Sequence, residues 1–202
     1  MKATALEKQI DKAEAGFIFT ALCRIFETML VKHRKQLGQR YHLILPALQR
    51  LLHCLFVTYK ELDKSMYTLE EEMAYAGYSE AQATAYARLL TTICDPTVSA
   101  VSRSRRTARQ ELNDETQKAR NIAGQYLQYV VEEFCGCQLY GRLLPKMRVA
   151  LNPGLWAIFD VMPQEVMRNL NASMDPSSRS VFKALYDEYR RSGKWKSGDA
   201  TG

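Results

Sequence analysis

Apolar residues recur three and four positions apart along nearly the whole of this 202-residue chain. That spacing places them on one face of an α-helix, whereas a half-buried strand requires strict alternation. Neither sustained alternation nor an Asn-Gly or Asp-Gly hairpin turn occurs. The sequence therefore predicts an all-α fold with no more than a token sheet. We expect a single domain of packed antiparallel helices, an arrangement that would also suit the end module of a helical repeat.

Short sequence signals predict where several helices begin and end. Ser79 with Gln82 has the spacing of a capping box, which marks a helix start. Asn152-Pro153 and Asp175-Pro176 each place a capping side chain directly before a proline, so each predicts a further start. Gly193 predicts the end of the last helix.

The helical stripes also predict core residues and domain limits. The expected core residues are Ile18, Leu22, Ile25, Phe26, Met29, Leu30 and Leu37 in the first helix; Tyr86, Leu89, Leu90 and Ile93 in the third; and Ala119, Ile122, Ala123, Tyr126, Val130 and Phe134 in a long helix over about 113–134. We expect the helical domain to cover residues 1–196, with an Arg- and Ser-rich linker at 97–109 and a disordered tail at 197–202.

Composition excludes several classes of protein. Hydrophobic residues make up 47% and charged residues 25%, which is ordinary for a globular domain and too apolar for a disordered chain. No apolar run approaches 18 residues, so neither a membrane-spanning helix nor a membrane partner is expected. The five cysteines are odd in number and four lie within apolar patterns, which predicts reduced core thiols in an intracellular protein.

Signatures of catalysis are missing from the sequence. It contains no G-x-S-x-G, P-loop, H-E-x-x-H or Gly-rich dinucleotide turn, so we expect no enzyme. Cys135-Gly136-Cys137 raises the question of a metal site. Structural zinc sites, however, separate paired ligands by two to four residues, and the three histidines, His33, His42 and His53, lie far away in sequence. The spacing therefore favours cysteines and histidines that pack between helices. We expect neither a metal nor a cofactor.

Two basic groups are candidate contacts for RNA or a protein partner. Arginines interleaved with Ser and Thr could neutralise phosphates, or could simply keep a linker solvated; they are Arg103, Arg105, Arg106 and Arg109. Near the C-terminus an aromatic residue among cations could stack on a base, or could pack against the last helical turn; this group is Arg190, Arg191, Lys194, Trp195 and Lys196. The net charge of +6 is compatible with RNA but also common in other proteins.

Several strings along the chain, in this order, carry a family resemblance. They are His33-Arg34 with Leu37-Gly38, Leu43–Pro46 running into Leu48–Leu52, Ala85–Leu90 followed by Ile93–Thr97, Asn152–Asp160, Phe182–Tyr186 and Gly193–Lys196. Together they resemble the C-terminal domain of the Urb2/Npa2-type nucleolar pre-ribosomal-associated proteins over roughly residues 17–196. Members of that family are much longer than this chain.

The resemblance implies a function that composition and spacing do not. It implies a nuclear, nucleolar protein acting early in large ribosomal subunit assembly and pre-rRNA processing. The implied partners are a companion nucleolar scaffold protein and a DEAD-box RNA helicase. We expect a non-enzymatic scaffold module, with direct pre-rRNA binding through the Arg-rich surfaces as the alternative. The resemblance brings no catalytic or ligand residues with it.

Overall fold

The computed structural model describes residues 5–37, 40–59, 68–75, 77–95 and 108–198. Within these ranges the helices are α1 (Ala5–Leu37), α2 (Tyr41–His53), α3 (Leu69–Tyr75), α4 (Glu80–Cys94), α5 (Ala108–Tyr140), α6 (Pro145–Val161), α7 (Gln164–Ser173) and α8 (Pro176–Gly198). Two short strands, β1 (Val57–Thr58) and β2 (Gly141–Arg142), pair in antiparallel fashion. The prediction of an all-α fold with at most a token sheet is confirmed.

Two of the predicted helix starts are formed by the expected caps. The Ser79 hydroxyl accepts from the backbone N–H of Ala81, and the Gln82 side chain accepts from the backbone N–H of Ser79. One carboxylate oxygen of Asp175 accepts from the N–H groups of Ser177 and Ser178. Both caps satisfy donors that the first turn of a helix leaves unpaired.

The predicted helix start at Asn152-Pro153 is wrong. α6 begins at Pro145 and runs through Pro153 to Val161. A proline inside a helix leaves one carbonyl, here that of Val149, without its usual donor. Val149 is largely exposed, so water can reach this part of the helix. The amide of Asn152 donates to Glu188 of α8 instead of capping a helix.

Two helices are longer than predicted. α8 continues through Gly193 to Gly198, and α5 extends from Ala108 to Tyr140, so that Arg109 lies in a helix instead of a linker. A glycine inside a helix costs only about 1 kcal/mol relative to alanine, which packing of the flanking turns can outweigh. The rest of the predicted linker, together with residues 199–202 of the predicted tail, lies outside the described residues.

The core is built around two helices with different neighbours. α5 lies at the centre and contacts α2, α6, α7 and α8, while α4 lies between α1 and α6. Residues that are fully buried on α5 and α4 include Ala123, Val130, Val131, Phe134, Tyr86, Leu89, Leu90 and Ile93. The predicted inner faces of these two helices therefore do pack inward.

The directions of neighbouring helices differ from the antiparallel expectation in two pairs. Along α1 and α4, the Gln82 side chain donates to the carbonyl of Gly16, and the Thr92 hydroxyl bonds to Glu27 further along. Both residue numbers rise together, so α1 and α4 run parallel. The Tyr41–Tyr126 and His53–Glu133 contacts show the same relationship between α2 and α5.

Candidate functional site

The outer face of α1 is apolar and exposed to solvent. Ile18, Leu22, Ile25 and Met29 are spaced by four, three and four residues, so they form one line along the helix. Each exposes between 37% and 54% of its surface. We call these four residues the α1 stripe. Surface leucines and isoleucines are ordinary one at a time, but a contiguous line of them is typical of a binding surface.

The prediction that these four residues form the core face is wrong. Phe19 and Cys23 are buried in their place, and Leu30, which was also predicted to be a core residue, is buried as expected. α1 carries apolar residues on both of these faces, so the spacing correctly indicates a helix but cannot decide which face packs inward. The backbone N–H and C=O groups of α1 are hydrogen-bonded within the helix whichever face packs inward. Contacts with α4 therefore decide which face is buried.

The inner face of α1 is fixed to the C-terminal end of α4. The guanidinium of Arg34 donates to the carbonyl oxygens of Thr92, Ile93 and Asp95. These are carbonyls that the end of a helix leaves without intrahelical donors, and a cation there is also favoured by the helix dipole. Together with the burial of Phe19, Cys23 and Leu30, this contact turns one face of α1 toward α4 and leaves the α1 stripe exposed.

Charged side chains mark both ends of the stripe. Glu14 precedes Ile18 by four residues and Lys32 follows Met29 by three, so both lie on the line of the stripe. Both side chains are exposed. The surface therefore has an acidic residue at its N-terminal end, an apolar centre and a basic residue at its C-terminal end.

The structure describes only part of the two predicted basic groups. Arg103, Arg105 and Arg106 lie outside the described residues, and Arg109 is placed in the first turn of α5 without a described side chain. Of the second group, Arg190 and Arg191 are exposed on α8, where Arg191 also donates to the carbonyl of Asp187.

The remaining three residues of the second group, Lys194, Trp195 and Lys196, belong to α8, but their side chains lie outside the description. The helix continues past Gly193, so the expected fold-back of Trp195 after a glycine cap has no basis there.

A polar cluster that the sequence did not predict links α2 to α5. His53 Nε2 lies 2.6 Å from Glu133 Oε1, and His53 Nδ1 lies 3.7 Å from the Sγ of Cys137. Glu133 Oε2 also accepts from Gln49. Only the spacing of Glu133 and Cys137, one helical turn apart, is visible in the sequence; the contact with His53 depends on the packing of α2 against α5.

The chemistry of this cluster is that of a hydrogen-bonded link. One ligand atom from each of His53, Glu133 and Cys137 lies within 4.8 Å of the others, a set of donors that Zn²⁺ accepts. Both imidazole nitrogens, however, already face a neighbour. Burial, with a further contribution from Glu133, raises the pKa of the Cys137 thiol to about 12, so this cysteine is not an activated nucleophile.

The sequence matches the Urb2/Npa2 family over residues 2–198. This chain belongs to the Urb2/Npa2 family. Members of the Urb2/Npa2 family are ribosome biogenesis factors and are not known as enzymes. The resemblance seen in the sequence is thereby confirmed, and both the α1 stripe and the polar cluster fall inside the region that matches. No curated protein and no solved structure matches the sequence.

This Urb2/Npa2 chain also has a concave region away from the stripe and the polar cluster. A shallow groove of about 440 Å³ lies between α5 and α7 and is lined by Gln128, Tyr129, Glu132, Val166, Asn169, Leu170 and Ser173. Neither a histidine nor a cysteine lines it. Among the described helices, none is both long enough and apolar enough to cross a bilayer.

Proposed function

We propose that this domain is a non-enzymatic interaction module of early large ribosomal subunit assembly and pre-rRNA processing, and that it works in the nucleolus by docking other assembly factors. The observation that carries this proposal is the α1 stripe. Family membership supplies ribosome biogenesis as the setting. Protein docking is the function that an exposed apolar line supports best.

Covering the α1 stripe with a partner removes apolar surface from water, which is favourable. Fully burying one large aliphatic side chain contributes about 1.5–3 kcal/mol. Four residues that are each about half exposed would therefore contribute several kcal/mol when a partner covers them. That amount is comparable with the central cluster of a protein interface, which is apolar and surrounded by polar residues.

Direct binding of pre-rRNA is the alternative, and it is supported by the net charge of +6 and the exposed Arg190 and Arg191. A phosphate-binding surface requires several cations on one face, and its affinity falls steeply as salt rises. The modest net charge supports only weak, salt-sensitive and sequence-indifferent RNA binding by this domain.

The two functions can be separated in cells that carry the tagged protein. The first variant combines Leu22→Glu and Ile25→Glu on the stripe; its matched control is Val149→Glu, an equally apolar and more exposed residue on α6. We expect the stripe variant to lose copurifying assembly factors, among them the companion scaffold protein and the DEAD-box helicase. The control should retain them, and both variants should keep the wild-type circular dichroism spectrum.

A second variant tests the RNA alternative. Changing Arg103, Arg105, Arg106 and Arg109 to Ala should reduce RNA binding at low salt and leave copurification of assembly factors intact. Retention of every assembly factor by the stripe variant would contradict the docking proposal. Loss of tight, salt-resistant RNA binding and of particle recruitment in the arginine variant would establish the RNA alternative in its place.

A further inference from the structure

We propose that the α1 stripe is covered by one amphipathic α-helix of an assembly factor, lying antiparallel to α1, with its acidic first turn near Lys32 and its basic last turn near Glu14. This inference rests on the proposed docking function and names the form, direction and charge pattern of the partner. Three properties of α1 lead to it: the shape of the stripe, its place in the stack of helices and the charges at its ends.

The shape of the stripe fits a helix. From Ile18 to Met29 it is about 16 Å long, at 1.5 Å per residue, and only one line of side chains wide. A ridge of residues spaced by three and four fits between the corresponding ridges of a second helix. Its isoleucine, leucine and methionine side chains carry no group that would hydrogen-bond to the backbone of an added strand or to a nucleic acid base.

The position of α1 in the fold also requires a covering layer. α4 is covered on both sides, by α1 and by α6, whereas α1, within the part of the chain that the structure describes, packs mainly against α4 and makes a smaller contact with α3. In stacked helical proteins, the outermost layer has a polar outer face, because that face remains in water. The outer face of α1 is apolar along the stripe. α1 therefore has the surface of an inner layer.

The charged ends of the stripe select the direction of the partner helix. Acidic residues are favoured in the first turn of a helix and basic residues in its last turn, because of the helix dipole. An antiparallel helix places its first turn beside Lys32 and its last turn beside Glu14, and both pairs are then opposite in charge. A parallel helix would place its basic last turn beside Lys32.

A second copy of this chain is a poorer occupant than a partner's helix. Stable interfaces bury about 800 Å² on each partner. Four half-exposed side chains supply much less than that, so two copies that met only along the stripe would separate readily. A helix of an assembly factor, held nearby by other contacts within the same particle, needs less area because its effective concentration is high.

The test uses site-specific photocrosslinking in purified pre-ribosomal particles that contain the protein. A photoreactive phenylalanine analogue replaces Ile18, Met29 or, as the control outside the stripe, Val149. Crosslinked peptides are then identified by mass spectrometry. We expect the probes at 18 and 29 to reach one helical segment of an assembly factor. The probe at 18 should react nearer the C-terminal end of that segment, and the probe at 29 nearer its N-terminal end.

Charge reversal at Lys32 gives a second readout. It changes an exposed side chain and leaves the four apolar residues of the stripe intact. Lys32→Glu should lower the yield of the crosslink from position 29 several-fold, whereas the reversal of the exposed Arg190 to Glu on α8 should leave it unchanged. The inference would be overturned if the two crosslinks occurred in the reverse order, or if the probe at Val149 gave the same product. Crosslinks to RNA, to a second copy of the chain or to the same polypeptide would also overturn it. If assembly factors still depend on the stripe in copurification, the docking function stands although this partner geometry fails.

Discussion

A β-carbon at position 154 would lie 2.7 Å from the Cα of Ala87, so the backbones of α4 and α6 approach each other closely at Gly154. Real β-carbons do not come so close to backbone atoms. Gly154 is therefore required by the closeness of these two helices, which make the most extensive contact among the helices that the structure describes.

Gly154→Ala should destabilise the domain. The added methyl group forces α4 and α6 apart, and overpacking of this kind costs about 1–3 kcal/mol. Gly136→Ala is the matched control, because its β-carbon would meet nothing within 4 Å and alanine stabilises a helix interior by about 0.5–1 kcal/mol. Urea unfolding followed by circular dichroism measures both. Equal effects of the two substitutions would contradict the close contact.

Arg34→Met should also lower the free energy of unfolding. The substitution keeps most of the side-chain length but removes the hydrogen bonds to the end of α4, and bonds to a charged group contribute about 1.5–3 kcal/mol. Arg34→Lys should restore only part of the loss, because one ammonium group cannot span the carbonyls that a guanidinium spans. Lys32→Met, at an exposed neighbouring position, should change stability little.

The N-cap of α8 should contribute to acid sensitivity. Hydrogen bonds from the side chain and backbone of Ser178 lower the pKa of Asp175 below its ordinary value. A lowered pKa in the folded state stabilises the fold above the unfolded-state pKa, about 3.9, and this contribution is lost as the pH falls through the folded-state pKa.

The test of this cap uses Asp175→Asn. Asparagine is an equally good N-cap but does not titrate in this range. Between pH 5 and pH 3, in urea titrations at matched ionic strength, the wild-type midpoint should therefore fall further than that of the variant. Parallel curves for the two proteins would show that Asp175 does not contribute to the pH dependence.

The thiols should separate into one reactive and four unreactive groups. Cys54 is exposed, and the other four cysteines are buried and free. Burial raises the pKa of Cys23 and of Cys94 to about 12, so little thiolate is present at neutral pH. With an aromatic disulfide reagent, one thiol should react rapidly in the native protein and five after denaturation without reductant. A count below five would reveal a disulfide.

Local features of this chain were the ones that could be predicted from sequence. The caps at Ser79 and Asp175 depend on residues within one turn, and both are confirmed. On α4 the predicted residues Tyr86, Leu89, Leu90 and Ile93 are all buried, so the spacing there also identified part of the core. The prediction at Pro153 is wrong because proline occurs in two places. It is common at a helix start, and it is also tolerated inside a helix, at a loss of stability, where packing against neighbouring helices compensates.

The candidate site could be predicted much less well. The spacing predicts that the α1 stripe is one face of a helix, but a second apolar face lies on the same helix, so the exposure of the stripe depends on how α1 packs against α4. The approach of His53 to Cys137 joins residues 84 positions apart, and no spacing rule reaches across that distance. The arginines at 103, 105, 106 and 109 remain a prediction about RNA or partner contacts.

The parallel course of α2 and α5 affects the order in which this protein can fold. Parallel neighbours cannot form a local hairpin, and the His53–Glu133 contact closes a loop of 80 residues. Folding rates fall as contacting residues lie further apart along the chain. We therefore expect slower folding than for an up-and-down bundle of this length. During synthesis, the inner face of α2 lacks its main partner until α5 has left the ribosome.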